Sequence, residues 1–333
     1  PRQRIEGLGA VGLVADPVNT ALAPNAWTAL TNAVTQNGAL RSALGLKKLF
    51  DLNLRPRYHT SWQGPDQRWY VLVSDGLQVD LHDVVLGTAR RVTPSTGQWG
   101  GGAITFANLN GVLVVNSATD GLFFLGHPVT SILEPAPGWQ PEWRCRAIAA
   151  YRYYLVALAM TEHTVYFPHK LRWSSAAAEG EIPVEWIPAL SNDAGDDLLG
   201  ESQGAIVGAT NVRDALMVVK EDAVYSLSFI GGQYVMRTDR LKGGTGTRLP
   251  GGFAELRGGV ALFTISDLVL FDGQTGQSLV EGRVRQYLAN ATDEAFWEQA
   301  VVFVHAPTTQ VFVAVVGPGQ RALSQMLVYN YAT

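Results

Sequence analysis

The chain has 333 residues, of which 47% are apolar and only 16% charged, with a net charge of −4. That length and apolar content suffice to bury a sizeable core, as one large β domain or as two smaller ones. The acidic balance, with no basic run longer than two residues, argues against tight phosphate binding, which needs clustered Lys and Arg. The single cysteine, Cys145, rules out an internal disulfide and a cysteine-based zinc site.

Glycine and proline are frequent (35 and 16 residues), which suits many short strands joined by many turns. The chain opens with Pro1-Arg2-Gln3-Arg4 and shows no apolar leader, so a cytoplasmic product is expected. Residues 8–24 are apolar and small, interrupted by Pro17 and Pro24; Asn25 to Thr35 reads as a short helix or irregular segment, and Leu40 to Phe50 as a strand pair. From about residue 68 one local shape recurs: a short apolar run, a turn, and a second apolar or aromatic run. The pairs are Trp69–Val73 with Leu77–Leu81, Val112–Val115 with Leu122–Leu125, and Tyr153–Leu158 with Thr164–Phe167. Three more follow: Ala215–Val219 with Val224–Leu227, Val260–Thr264 with Leu268–Phe271, and Val311–Val316 with Met326–Tyr331. Apolar runs rich in β-branched and aromatic residues, joined by Gly, Asp or Pro turns, are the signal of hairpins.

The first runs are centred near residues 71, 113, 156, 217, 262 and 313, close to the spacing of four-stranded propeller blades. The expected fold is therefore all-β, a β-propeller of about six blades. An irregular sandwich or two smaller β domains would give the same hairpins with less regular spacing. Residues 1–67 read as an N-terminal arm with closing strands and residues 68–333 as the propeller. Gln233–Arg237 reads as a third strand of the fourth blade. The arm is the natural partner of the C-terminal strand, because an open blade leaves unpaired edges. Arg283 to Gln299, with apolar residues at three and four spacing, predicts one short helical insertion between blades. The most apolar run, Ala147 to Met160, carries Arg152 and three tyrosines and does not predict a membrane span.

Candidate chemistry is sparse. His59, His82, His127, His163, His169 and His305 lack the helical i, i+4 spacing of a zinc protease site, although His163 and His169 flank one strand end. The acidic stretch Asn192 to Asp197 offers oxygen ligands for calcium but lacks the spacing and distal Glu of an EF-hand. Gly100-Gly101-Gly102 and Gly243-Gly244-Thr245-Gly246-Thr247 lack the Gly-Lys-Ser/Thr ending of a phosphate loop and read as turns. Glu142, Glu162, Asp222 and Asp267 are the carboxylates a propeller glycosidase would draw on, but nothing in their surroundings separates them from turn acids. Trp62, Trp69, Trp99, Trp139, Trp143, Trp173, Trp186 and Trp297 read as wedges between blades, with sugar stacking as the alternative. Cys145 reads as a small buried apolar residue. No catalytic residue, cofactor site or metal site is assigned, and the chain is not expected to be an enzyme.

A resemblance runs from about residue 10 to 290. Gly12 to Pro17, Leu22 to Trp27, Asn32 and Asn37-Gly38-Ala39-Leu40 open it. Leu171-Arg172-Trp173-Ser174, Val184-Glu185-Trp186, Asp193-Ala194-Gly195, Leu198, Gly204-Ala205-Ile206, Ala215–Lys220, Val224–Leu227 and Leu268–Gly273 continue it in the same order. In these motifs the chain resembles the tail nozzle, or tail tubular and packaged-DNA stabilisation, proteins of short-tailed phages and their prophage relatives. It departs from them in the arm, where Thr31 to Leu40 replaces a basic strand. The resemblance implies a structural virion protein of the phage tail, made in the host cytoplasm and placed below the portal. It further implies a homo-oligomeric, six-fold ring that touches adjacent tail or head-tail adaptor proteins, retains packaged DNA and lets it pass without sequence-specific binding. A glycan-binding propeller at the tail tip, contacting the host surface, is the alternative, with a propeller glycosidase behind it.

Overall fold

The computed structural model describes residues 7, 10–15, 22–23, 25–43, 48–94, 99–126, 131–232, 234–264, 267–281 and 284–331. The fold is mostly β, with six blades in a β-propeller arrangement. The first blade is Tyr58–Gln63, Trp69–Ser74, Val79–Asp83 and Ala89–Arg91, and the second is Ile104–Leu109, Val112–Ser117, Gly121–Leu125 and Leu133–Pro135. The third is Arg144–Tyr151, Tyr154–Glu162, Val165–Trp173 and Gly195–Leu198, and the fourth is Ile206–Val212, Ala215–Lys220, Val224–Phe229 and Met236–Leu241. Phe253–Leu256, Gly259–Thr264, Asp267–Phe271 and Gly276–Ser278 form the fifth; the sixth has three strands, Val301–His305, Gln310–Val315 and Gln325–Asn330.

All six hairpins expected from the sequence are the second and third strands of a blade. In the first five blades those strands are flanked on both sides within the sheet, so they are the most apolar, and Leu155 to Leu158 and Val218 to Val219 are fully buried; in the sixth, Gln325–Asn330 is itself the edge. The first and fourth strands carry more polar residues and sit at the sheet edges.

Several expectations need correction. The first blade begins at Tyr58, inside the segment assigned to the arm; Tyr58-His59-Thr60-Ser61-Trp62-Gln63 buries only Trp62 and so shows no apolar run. Where a helix or irregular segment and then a strand pair at Leu40 to Phe50 are expected, the described residues form a hairpin of Ala33–Gln36 and Ala39–Ser42, and residues 44–47 lie outside the described residues. Asn37 and Gly38 both have positive φ (51° and 71°), the geometry of a tight hairpin turn that Asn-Gly favours. In the fourth blade, Gly231 and Gly232 at positive φ extend the loop, and the last strand is Met236–Leu241. Gln233, Pro17, Pro24, Ile265-Ser266, Arg283 and His127 lie outside the described residues. The expected helix appears as Arg285–Ala291 followed by a 3-10 turn, Glu294–Gln299. Between them the Thr292 hydroxyl donates to the Leu288 carbonyl and Asp293 accepts from the N–H of Ala295, which ends one helix and starts the next.

The chain divides into two compact units. The larger, Lys47–Lys220 with Tyr225–Arg240, holds the first four blades apart from Glu221–Val224 and Leu241. Its apolar layers lie between neighbouring blades: Trp62, Leu72, Val79 and Leu81 of the first pack with Leu113 and Val115 of the second, and Leu109, Val114 and Leu122 of the second pack with Cys145, Ile148 and Leu155 of the third. Hydrogen bonds pin the same joints. Trp62 Nε1 donates to the Gly111 carbonyl (2.9 Å), and the Cys145 thiol donates to Asn116 Oδ1 (3.1 Å) while Asn116 Nδ2 returns a bond to the Cys145 carbonyl. Tyr151 OH donates to the Asp214 carbonyl and accepts from the N–H of Phe229.

The other unit, Pro1–Leu46 with Glu221–Val224 and Leu241–Thr333, has a core built from the fifth and sixth blades and the helix, including Phe263, Leu268, Leu288, Val302 and Val313. Here the arm touches the last strand through Asn330 Nδ2, which donates to the Thr35 carbonyl at 2.9 Å, but the expected strand pairing is not made. The arm hairpin lies against that strand as a separate sheet and does not extend its ladder. No described helix is long and apolar enough to cross a membrane.

Candidate functional site

Among the described residues a dense polar construction lies on one face of the third blade. Residues two apart in a strand share a face, so Val165–Trp173 presents Lys170 and Arg172 together. The fourth strand sets Asp196 directly opposite Arg172. Glu162 joins them through an irregularity in the ladder. Leu158 pairs with Leu171 but Met160 pairs with Phe167, so the third strand bulges across Pro168 while Ala159 adopts φ 52°. Proline cannot donate to a ladder and is tolerated at such a bulge. The shift brings the Glu162 carboxylate back over the two cations.

The result is a closed lattice. Lys170 Nζ lies 2.9 Å from Glu162 Oε1 and 3.1 Å from Asp196 Oδ2, and Arg172 Nη2 lies 2.9 Å from both carboxylates. Arg172 Nη1 donates to the Trp186 carbonyl at 2.9 Å, and its guanidinium carbon stands 4.4 Å from the centre of the Trp143 ring, a cation–π contact. Trp139 meets both Trp143 and Trp186 edge-on. Two cations against two carboxylates leave no net charge. Burial alone would raise the pKa of Glu162, but the hydrogen bonds from Lys170 and Arg172 outweigh it and hold the carboxyl below its ordinary range. A general acid needs the opposite shift, toward neutrality, so this arrangement is suited to holding strands together and unsuited to proton transfer.

The residues singled out in the sequence are scattered or engaged. Asp193 accepts from Tyr154 OH (2.8 Å) and from the N–H of Ala176 (3.1 Å). Asp196 belongs to the lattice, and Asp197 accepts from the Thr238 hydroxyl and the N–H of Leu198. The acidic stretch therefore serves as a set of structural acceptors. Glu142 lies 3.4 Å from His163, and Asp267 accepts from Ser278 Oγ at 2.6 Å with Arg285 at 3.6 Å. Glu142 and Glu162 belong to the third blade's surroundings, Asp222 to the fourth hairpin's turn and Asp267 to the fifth blade, and Glu162 is held by Lys170 and Arg172. Among the described residues no three His, Cys, Asp or Glu side chains converge where they could hold a metal ion.

His82 is buried and stacks on Phe50 with ring centres 4.7 Å apart; burial lowers its pKa, against an opposing pull from Asp80. His163 faces Glu142, and His169 Nδ1 is buried without a hydrogen-bond partner. His305 Nδ1 is 2.7 Å from Thr308 Oγ1, and His59 is exposed. Trp62, Trp99, Trp143, Trp173 and Trp186 are buried, whereas Trp69 is exposed. Burial pushes the Cys145 thiol up to about 12, which leaves it protonated and unreactive.

Sequence reasoning missed two buried cations. One is Arg172, and the other is Lys220, which donates from full burial to the carbonyls of Leu199 (2.7 Å) and Ser202 (2.9 Å) and faces the Tyr225 ring. A lysine closing the apolar run Leu216-Met217-Val218-Val219 was the available signal.

No family model and no curated protein matches the chain. Solved structures with some likeness include the major Malassezia sympodialis allergen Mala s 1, at 11% identity and a TM-score of 0.44 over 83% of this chain and 93% of that one. Dihydro-heme d1 dehydrogenase NirN, in complex with DHE, matches at 15% identity and 0.44 over 80% of this chain. The extracellular domain of the putative hybrid two component system BT4673 from B. thetaiotaomicron matches at 12% and 0.45 over 80%. The chain spans 56% of the NirN chain's length and 32% of the BT4673 chain's. Likenesses this faint carry no inference about activity.

Proposed function

We propose that the chain is a structural, non-catalytic protein of a phage tail, a ring component below the portal that retains packaged DNA and forms the channel for its ejection. The supporting observation is what the resemblance motifs do in the fold. Leu171-Arg172-Trp173-Ser174, Val184-Glu185-Trp186 and Asp193-Ala194-Gly195 interlock as one building unit. Arg172 holds the Trp186 carbonyl, Trp173 Nε1 donates to the Asp193 carbonyl at 2.9 Å, and Trp173 lies so close over Gly195 that a Cβ there would stand 2.1 Å from its ring. Ala215–Lys220 and Val224–Leu227 form the central hairpin of the fourth blade. These described motifs build the third and fourth blades. A net charge of −4, repeated around a ring, would not grip phosphates, so DNA could slide past it.

The test is genetic and physical. Particles assembled without this chain are expected to package DNA and then lose it, measured as a fall in nuclease-protected DNA per head, with the defect restored by supplying the chain. Particles that keep their DNA and infect normally, or a purified monomer that cleaves polysaccharide, would overturn the reading.

A further inference from the structure

Two exposed surfaces of the larger unit complement each other in charge and hydrophobicity. The first is the long connection between the third and fourth strands of the third blade, residues 174–194. It contains Glu179, Glu181, Glu185 and Asp193 and no Lys or Arg, and its three glutamates are exposed. Between them it presents Val184 and Ile187, 61% and 55% exposed, and a wholly exposed Leu190. The connection is pinned. Ser175 N–H donates to the Glu185 carbonyl at 2.8 Å, buried Trp186 is fixed through its carbonyl by Arg172, and Asn192 Nδ2 donates to the Ile187 carbonyl at 3.1 Å. Apolar side chains held out to water on a fixed frame mark an interaction site and lose little conformational freedom on docking.

The second surface is the stretch 48–57 that leads into the first blade. Lys48, Arg55 and Arg57 are exposed, against the single acid Asp51, which pairs with Lys48. Leu49 stands 73% exposed among them. This exposed stretch is net basic, and it too mixes charge with apolar surface.

We propose that the acidic, apolar loop 176–190 of one copy docks on the basic, apolar stretch 48–57 of a second copy. The two surfaces differ, so the contact is heterologous and propagates from copy to copy until it closes into a ring or runs on as a filament. The glutamates steer the approach and fix the register, and burial of Leu190, Ile187, Val184 and Leu49 supplies the affinity. The inference deepens the tail-ring reading: it rests on that reading for closure of the ring and on these two surfaces for the pairing.

A charge-swap experiment on the full chain tests it by sedimentation velocity. The loop variant Glu179→Lys/Glu181→Lys/Glu185→Lys and the stretch variant Arg55→Glu/Arg57→Glu are each expected to raise the concentration needed for assembly by about tenfold or more. Mixed at equal concentration they should reassemble, because the reversed loop of one meets the reversed stretch of the other. A second arm does not depend on charge: copies bearing Leu190→Cys mixed with copies bearing Leu49→Cys should form a disulfide-linked heterodimer, since the only native cysteine is buried. Wild-type chain that stays monomeric, folded variants that assemble unchanged, or failure of both mixtures would overturn the pairing. Rings that persist through both variants would overturn the pairing while leaving the tail reading in place.

Discussion

In the third blade, strands of eight and nine residues enclose four paired charges, a buried tryptophan pair and a bulge that aligns them. In the sixth, three strands of five or six residues rest on valines, a stacked Phe303–Phe312 pair and neutral contacts, with the arm attached through Asn330 and Thr35. Both blades belong to one fold. The third blade is locked from within by a charge lattice, which should fail as a whole when one member is lost, whereas the sixth is joined to the arm by a neutral hydrogen bond, which should open separately.

The largest expected effect lies in the first of these. Arg172→Met leaves Glu162 and Asp196 sharing Lys170 and frees the Trp186 carbonyl, so unfolding by urea should show a loss of about 3–5 kcal/mol. An unchanged midpoint would break the comparison. Lys220→Met strips two buried carbonyls of their donor and should cost about 1–3 kcal/mol by the same measurement.

Acid should weaken the larger unit in two steps. His82, with its pKa lowered by burial, is neutral in the fold, so its contribution is complete above the ordinary value of 6.5 and falls away as pH drops below it. Glu162, also lowered, contributes fully above its ordinary 4.5 and loses that contribution as pH falls further. Stability of His82→Phe measured against pH should lack the first step and keep the second. If the first step survives that substitution, it does not belong to His82.

The smallest effect belongs to the sixth blade. Asn330→Ala should cost about 1 kcal/mol, but amide exchange in Ala33–Gln36 should quicken while Tyr154–Trp173 stays protected. Equal acceleration in both would mean that the two regions open as one.

These contrasts also explain what could be read from the chain. Val112–Ser117 or Gly259–Thr264 announces itself because a central strand is apolar on both faces. Ala89–Arg91 and Met236-Arg237-Thr238-Asp239-Arg240-Leu241 do not, because an edge strand keeps its polar residues in water. The charge lattice was hidden for a different reason. Glu162 and Asp196 are far apart in sequence and meet only through the bulge around Ala159 and Pro168, which no spacing rule anticipates. The arm hairpin carried the plainest local signal, Asn37-Gly38, but with few apolar neighbours it did not read as paired strands.

Electron microscopy of the purified full chain tests the central claim most directly, that its residues build shape and that shape is its function. Class averages are expected to show closed rings with an open bore wide enough for duplex DNA. Single propellers at every concentration, with no ring in the particles that carry the chain, would contradict it.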